Sequence, residues 1–307
     1  MILFYGRAED TPLTRCVETT AERGIDHRFV DQSALRHHDL SVHFGPDGAG
    51  GTIVLGGERL DLGAVTAVYA RPLELPSGQD GGHESAFHEA FVEWLDVTGA
   101  LVVNRPSAMH SNTSKPFQAQ LIARAGFAVP DTLVTDDPAE VRAFRERHGR
   151  VVFKSVSGIR SIVTELDDRA TQRLELVRAL PTQFQEYVPG ADVRVHVVGG
   201  SVFPTEIVSE ALDYRYARRT GLSADLAAVE LPDPVAKRCV ELAELLDLPL
   251  CGIDLRRRPD GGYVCFEVNP MPAYTYFEDG GGQPIGATLA GLLTEVPCRR
   301  SGRTSPR

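Results

Sequence analysis

Lysine is nearly missing from this chain. Of 32 basic residues only Lys115, Lys154 and Lys237 are lysines, and the rest are arginine. A GC-rich codon preference accounts for the scarcity but not for where the three survivors sit. Cysteine is sparse too. Cys16, Cys239, Cys251, Cys265 and Cys298 form an odd set with no C-x-x-C or comparable spacing, so neither a disulfide framework nor a zinc site is expected. No stretch approaches ~20 apolar residues, which excludes a membrane-spanning helix. An excess of positive charge is missing as well. With 42 acidic residues against those 32, the net charge is −10, which argues against electrostatic nucleic-acid binding. The first residues lack a basic n-region, and the run from Met1 to Gly6 is broken by Arg7, Glu9 and Asp10. That start reads as a strand and not as a signal peptide, so a cytoplasmic protein is expected. No G-x-S-x-G and no P-loop is present. His37-His38 lies in a polar loop with no partner at metal-ligand spacing.

What is present is an ordinary globular composition, 307 residues with 42% apolar and 24% charged, enough for two or three domains. Residues 1–103 alternate strand and helix. Strands are expected at 2–5, 27–31, 65–70 and 101–103, helices at 11–23 and 84–97, and a hairpin turns at Gly56-Gly57. This is the pattern of an α/β layer with a mostly parallel sheet. A second section opens at Asn104-Arg105-Pro106. It carries helices near Lys115 and Pro138, each with a capping residue and an early proline, and strands at 151–154 and 183–188. A third section, from 188 to 297, contains two hairpins, one turning at Gly199-Gly200 and one around Asp260-Gly261. Residues 298–307 are polar and basic and read as a disordered tail.

The second hairpin carries the chemistry. A two-residue Asp260-Gly261 turn places Asp254 directly opposite Glu267, and Asn269 follows on the same face. Ile253, Leu255, Phe266 and Val268 then point to the core. Two carboxylates set opposite each other repel, and oxygen donors without Cys or His suit magnesium as the compensating cation. A three-residue turn would shift this register, and a solvated polar face is the alternative reading.

These residues resemble a family. Gly252-Ile253-Asp254-Leu255 followed by Phe266-Glu267-Val268-Asn269-Pro270 resembles the magnesium-binding end of the ATP-grasp superfamily, closest to its RimK-like carboxylate–amine ligases. The segment from Asn104 through Lys115 to Thr132, the strand Val151-Val152-Phe153-Lys154, and the run from Phe184 to Arg194 follow in the same order. The resemblance implies a fold of α/β class, with α+β character in its ATP-binding part. It comprises an N-terminal Rossmann-like pre-ATP-grasp domain (1–103), a central ATP-binding subdomain (104–187) and a C-terminal subdomain with the metal site (188–297).

The resemblance also implies ATP and Mg²⁺ as cofactors and a two-step reaction. A substrate carboxylate is phosphorylated, and an amine or hydroxyl then displaces the phosphate. Asp254, Glu267 and Asn269 would hold the metal. Lys115 and Lys154 would contact phosphates, and Gln185, Glu186, Tyr187 and Val188 would bind adenine, mostly through backbone groups. Asp192 would accept from the ribose or is simply a turn aspartate after Gly190. Arg215 and Arg194, with Lys154, are the candidate catalytic residues, and Asp213 and Arg215 face the substrate. Arg71, at the end of a first-domain strand where ligands sit in open sheets, is a further substrate contact. Tyr274 lines the acceptor pocket or packs as a core aromatic.

Phe203-Pro204-Thr205-Glu206-Ile207, then Ala211-Leu212-Asp213-Tyr214-Arg215, and the short loop from Ser155 to Arg160 resemble the microviridin-type (graspetide) branch. That branch joins side-chain carboxylates to hydroxyls or amines in a ribosomally made peptide. The segment from Pro270 to Tyr276 does not follow that branch. A RimK-like glutamate ligase therefore stays open, as do an ATP-grasp kinase and a non-catalytic nucleotide-binding protein. A homo-oligomer is expected from the same resemblance.

Overall fold

A computed structural model describes residues 1–46, 48–73, 82–155, 163–209 and 224–295. The first section contains β1 (Ile2–Gly6), α1 (Thr11–Glu22), β2 (His27–Asp31), β3 (Asp39–Gly45), β4 (Gly48–Leu55), β5 (Glu58–Asp61), β6 (Ala67–Ala70), α2 (Gly82–Val97) and β7 (Leu101–Val103). Strands β2-β1-β6-β7 form a parallel sheet in that order. Every residue of β1 and β6 is buried, as a sheet covered on both faces requires. Asp10 caps α1 by accepting from the Leu13 amide at 3.0 Å, and Pro12 fills the first turn. The expected hairpin β4–β5 is present, but β3 extends it to three antiparallel strands. With only Leu40 and Val42 on its half-buried face, β3 has too weak an apolar alternation to be read from sequence.

The second section holds α3 (Pro106–Met109), α4 (Lys115–Arg124), β8 (Thr132–Thr135), α5 (Pro138–His148), β9 (Val151–Ser155), β10 (Thr164–Glu165), α6 (Asp168–Gln172) and β11 (Thr182–Glu186). Its sheet runs β10-β9-β11-β8, all antiparallel. Side chains alternate between faces. Leu133, Phe153 and Phe184 pack into a core with Val141 and Phe144 of α5. Lys154, Gln183, Gln185 and Thr132 are left on the opposite face.

The third section contains β12 (Ala191–Val198), β13 (Ser201–Ser209), β14 (Ala224–Ala228), α7 (Asp233–Leu245), β15 (Leu250–Arg257), β16 (Tyr263–Asn269), α8 (Tyr274–Gly281) and α9 (Ile285–Thr294). The five-stranded antiparallel sheet has the order β14-β13-β12-β15-β16. Gly199-Gly200 forms the expected two-residue turn, with Val198 paired to Ser201 and Gly199 at φ 56°. One face of this sheet packs on α4 and α7 through Val193, Val195, Ile253, Cys265, Val268 and Leu242.

Helices α8 and α9 return to the first section. Phe4, Leu13, Cys16 and Tyr69 share one continuous core with Tyr274, Phe277, Ile285 and Leu289. Each such side chain contributes about 1.5–3 kcal/mol of burial, so the C-terminal helices fasten the third section to the parallel sheet. Cys16, Cys239, Cys251 and Cys265 are free and buried. Burial pushes the first three thiols up to about 12 and Cys265 well above its ordinary value, so none is a thiolate at neutral pH. No helix among the described residues is long and apolar enough to cross a membrane.

Candidate functional site

The hairpin β15–β16 reaches the expected pairing by a different route. Its turn is three residues, Pro259 to Gly261, not two. The Arg258 amide donates to Gly262 O at 2.8 Å and the Gly261 amide to Arg258 O at 2.9 Å, with Gly261 at φ 83°. Leu255 therefore faces Cys265, one residue out of the expected register. A β-bulge at Phe266 then shifts the ladder back, so that Asp254 faces Glu267, Ile253 faces Val268 and Gly252 faces Asn269. The bulge corrects one assignment. Phe266 is not core. It is half-buried and lines the cleft, with Arg256 stacked 5.3 Å from its ring centre, and Cys265 takes the core position.

The opposed carboxylates are compensated by cations from two other elements. Lys115 Nζ lies 3.2 Å from Glu267 Oε2 and donates to Asn112 Oδ1 at 2.7 Å. Arg194, directly opposite Asp254 on β12, donates from Nη1 to Asp254 Oδ1 at 2.5 Å. Asn269 Oδ1 accepts from the Met271 amide at 2.9 Å. Among the described residues no three His, Cys, Asp or Glu side chains cluster as a metal site. The donor set is two carboxylates and an amide.

The facing sheets, β9–β11 on one side and β12–β15–β16 on the other, enclose a cleft lined by Val152, Lys154, Val188, Asp192, Phe266 and Glu267. The residues at the end of β11 and just after it spend their side chains on neighbours. Gln185 donates to Thr132 Oγ1 at 3.0 Å, and Glu186 Oε1 accepts from the Asp131 amide at 3.0 Å. The Tyr187 ring is covered by Arg150 at 3.7 Å. The Glu186 and Tyr187 amides donate to Asp131 O and Arg150 O. The Val188 amide has no hydrogen-bond partner among the described residues, and Val188 lines the cleft. Arg256 donates to Asp192 Oδ1 from Nε at 2.8 Å and from Nη2 at 2.6 Å, and from Nη1 to Val188 O at 2.9 Å. That fork locks Asp192 beside the backbone of Val188.

One expected substrate contact is corrected, and one open reading is resolved. Arg71 is buried, donating from Nε to Asp10 Oδ1 at 2.7 Å and from Nη1 to Pro272 O at 3.2 Å. A guanidinium removed from water requires such partners, and these tie β6 to α1 and to the segment after β16. Tyr274 is fully buried and donates to Pro12 O at 2.6 Å, so it is the core aromatic of the two readings. Asp213 and Arg215 lie outside the described residues, as do the loop 156–162 and the tail 298–307.

Two positioning residues were not anticipated. Gln118, one turn after Lys115 and 1% exposed, donates to Val268 O at 2.8 Å and accepts from the Val268 amide at 3.0 Å. It clamps α4 onto β16 beside Glu267. Asn104, also buried, donates to Leu250 O at 2.7 Å and Pro270 O at 2.5 Å. Polar residues in a helix or at a strand end read as solvated, so only the paired sheet edge shows what they hold.

His196 on β12 is fully buried, neither ring nitrogen has a hydrogen-bond partner among the described residues, and its ring lies 4.9 Å from that of Phe277. Burial, with the charge of Arg194, pushes its pKa well below the ordinary 6.5. His88 is pushed down by burial as well. An imidazole kept neutral in the fold takes up its proton on unfolding below about pH 6.5, so stability falls as pH drops through that range. Denaturant melts should show a stability loss of up to about 1.4 kcal/mol per pH unit from this one group. His196→Leu should flatten that slope, and an unchanged slope in the variant would contradict the assignment.

Two antiparallel sheets gripping one cleft, beside a parallel α/β layer, define the ATP-grasp class. A model of the RimK-like ATP-grasp domain matches residues 113–293, and the chain belongs to that family. It is 28% identical over 232 residues to beta-citrylglutamate synthase B of Danio rerio, covering 69% of this chain but only 55% of that protein. It is 26% identical over 226 residues to the protein named "Probable alpha-L-glutamate ligase 2" of Pseudoalteromonas atlantica, covering 70% of this chain and 74% of that one. Solved structures of the ATP-grasp ligase PsnB are similar over nearly the whole chain. The complex with a phosphomimetic variant of minimal precursor, Mg and ADP gives a TM-score of 0.77 at 28% identity, covering 95% of this chain and 97% of that one. The complex with precursor peptide PsnA2 and AMPPNP gives 0.75 at 28%, covering 95% and 96%.

Proposed function

We propose that this protein is an ATP- and magnesium-dependent ligase that activates a carboxylate as an acyl phosphate and joins it to an amine or hydroxyl, with a peptide as substrate. The observation that carries the proposal is the convergence of Asp254, Glu267 and Asn269 with Lys115 and Arg194 at one end of a cleft whose other end offers the Val188 N–H beside Asp192. The donor set fits magnesium. It is all oxygen, with two carboxylates, and magnesium takes its remaining ligands from phosphate and water. Bound there, the ion would neutralise phosphate charge as a Lewis acid.

The chain's own residues then divide the work. The Val188 N–H donates to a ring nitrogen of adenine, a backbone contact that leaves the side chains of Gln185, Glu186 and Tyr187 to their neighbours in the fold. Asp192, held by Arg256, accepts from the ribose hydroxyls. Lys154 and Lys115 hold the phosphates as point charges. Arg194 stabilises charge on the phosphoryl group in transfer, and by resemblance Arg215 and Asp213 act on the substrate. A carboxylate oxygen of the substrate bonds to the γ-phosphorus as the bond to ADP breaks. The amine or hydroxyl then bonds to the acyl carbon, phosphate leaves with the electrons of the C–O bond, and the nucleophile's proton passes to solvent.

The PsnB complexes with precursor favour a peptide substrate, at 28% identity over nearly the whole chain. The glutamate-ligase relatives favour a second reading, addition of a free amino acid. Mass spectrometry separates the two. A peptide rich in Asp, Glu, Thr and Lys should lose one water for each ADP released. Gain of a glutamate residue instead would support the second reading, and a stable phosphorylated product would exclude both.

A further inference from the structure

Gly252 stands two residues before Asp254 on the same face of β15. Its neighbour directly across on β12 is His196, and the diagonal neighbour is Arg194. A Cβ added at Gly252 would fall within the guanidinium, against Nη2, Cζ and Nε of Arg194, and these are its three nearest heavy atoms. The backbone gives no reason for glycine here, since Gly252 is not among the residues with positive φ. What the position supplies is space. Arg194 is only 5% exposed. Its guanidinium carbon lies 5.8 Å from the ring centre of Phe277, and Nη1 reaches Asp254 at 2.5 Å. The guanidinium therefore lies across Gly252, and the missing side chain is the slot that holds it.

We propose that Gly252 is a positioning residue acting through Arg194. By leaving the slot open it sets the guanidinium beside Asp254, at the end of the cleft where the proposed phosphoryl transfer takes place. The catalytic part rests on the reading given under Proposed function; the slot itself does not. The three atoms that a methyl group would meet first all belong to the far end of a flexible side chain. The fold therefore yields at Arg194, and Gly252→Ala folds with the guanidinium displaced.

The experiment uses Gly252→Ala, Arg194→Lys and the double variant in the full chain. Arginine side-chain NMR reads the slot without any activity. The buried Nε–H of Arg194, assigned by its absence in Arg194→Lys, should shift and lose exchange protection in Gly252→Ala. An unmoved, equally protected signal overturns the proposal. Kinetics read the consequence. Gly252→Ala should lower kcat for ADP release about tenfold or more, with KM for ATP changed less than about twofold. The double variant should be no slower than Arg194→Lys, because the lysine lacks Nη2, the nearest of the clashing atoms, and its unbranched end can turn away from the methyl group. Losses that multiply would show that Gly252 acts independently of Arg194 and overturn the proposal. A shifted NMR signal in a protein whose wild type releases no ADP leaves the slot standing and removes the ligase reading instead.

Discussion

Glu267→Gln is expected to lower the rate of ADP release by about 10³-fold or more while the protein stays folded. The substitution keeps the shape and removes one negative charge from the pair facing across β15 and β16. If that pair holds magnesium, half of the anionic charge available to it is gone, and charge neutralisation at the phosphates is the main part of such catalysis. Stability should respond differently. The Glu267 side chain is 22% exposed, and its 3.2 Å pair with Lys115 is offset by its proximity to Asp254. Relief of repulsion and loss of the ion pair oppose each other, so the change should stay within about 1 kcal/mol. Initial rates and thermal melts on one preparation check both halves. A variant with activity near wild type would take Glu267 out of the metal set.

Lys115→Arg and Lys154→Arg should each reduce turnover about 10²-fold, whereas Lys237→Arg should be silent. Lys237 is 77% exposed on α7, with a 3.5 Å pair to Glu241 one turn on, an arrangement worth little. Lys115 opens α4 at the edge of the cleft, between Asn112 and Glu267, and Lys154 lies opposite Gln183 on the cleft face of β9. In a chain that uses arginine nearly everywhere, lysine stands at two places that line the cleft, where a compact ammonium on a thin stem reaches a phosphate as a point charge. The planar guanidinium is wider and carries its charge over three nitrogens. Steady-state kinetics on the three variants read the contrast, and equal activity in all three would remove phosphate contact as the reason for these lysines.

The sequence carried some of this site openly and hid the rest. Asp254, Glu267 and Asn269 were legible because strand periodicity fixes faces once the pairing is known. The pairing itself was reached through an error that cancelled. A two-residue turn predicts the right partner for Asp254 only because the three-residue turn at Pro259 to Gly261 is undone by the bulge at Phe266. A bulge has no local composition signal, and its consequence, Phe266 in the cleft with Cys265 in the core, is the reverse of what alternation predicts. The parallel layer of β1, β6 and β7 was visible as short apolar runs. Arg71 reads as a substrate contact, and Tyr274 stays open between pocket and core, because their partners, Asp10 with Pro272 and Pro12, lie more than 60 and 260 residues away. Nothing local distinguishes a guanidinium that faces a ligand from one that fastens two layers of the fold. Gln118 and Gly252 were hidden for the same reason, since each acts on a strand that only the folded chain brings alongside.

A cleft that converts a carboxylate into an acyl phosphate should yield a hydroxamate when hydroxylamine intercepts that intermediate. The protein is incubated with Mg-ATP, a carboxylate-rich peptide and hydroxylamine, and ADP and hydroxamate are measured together. Both should form in equal amounts, dependent on magnesium and on the peptide, and neither with Glu267→Gln. Magnesium-dependent ADP release without hydroxamate or ligated product, or no ADP release with any carboxylate offered, would contradict acyl phosphate formation in this cleft.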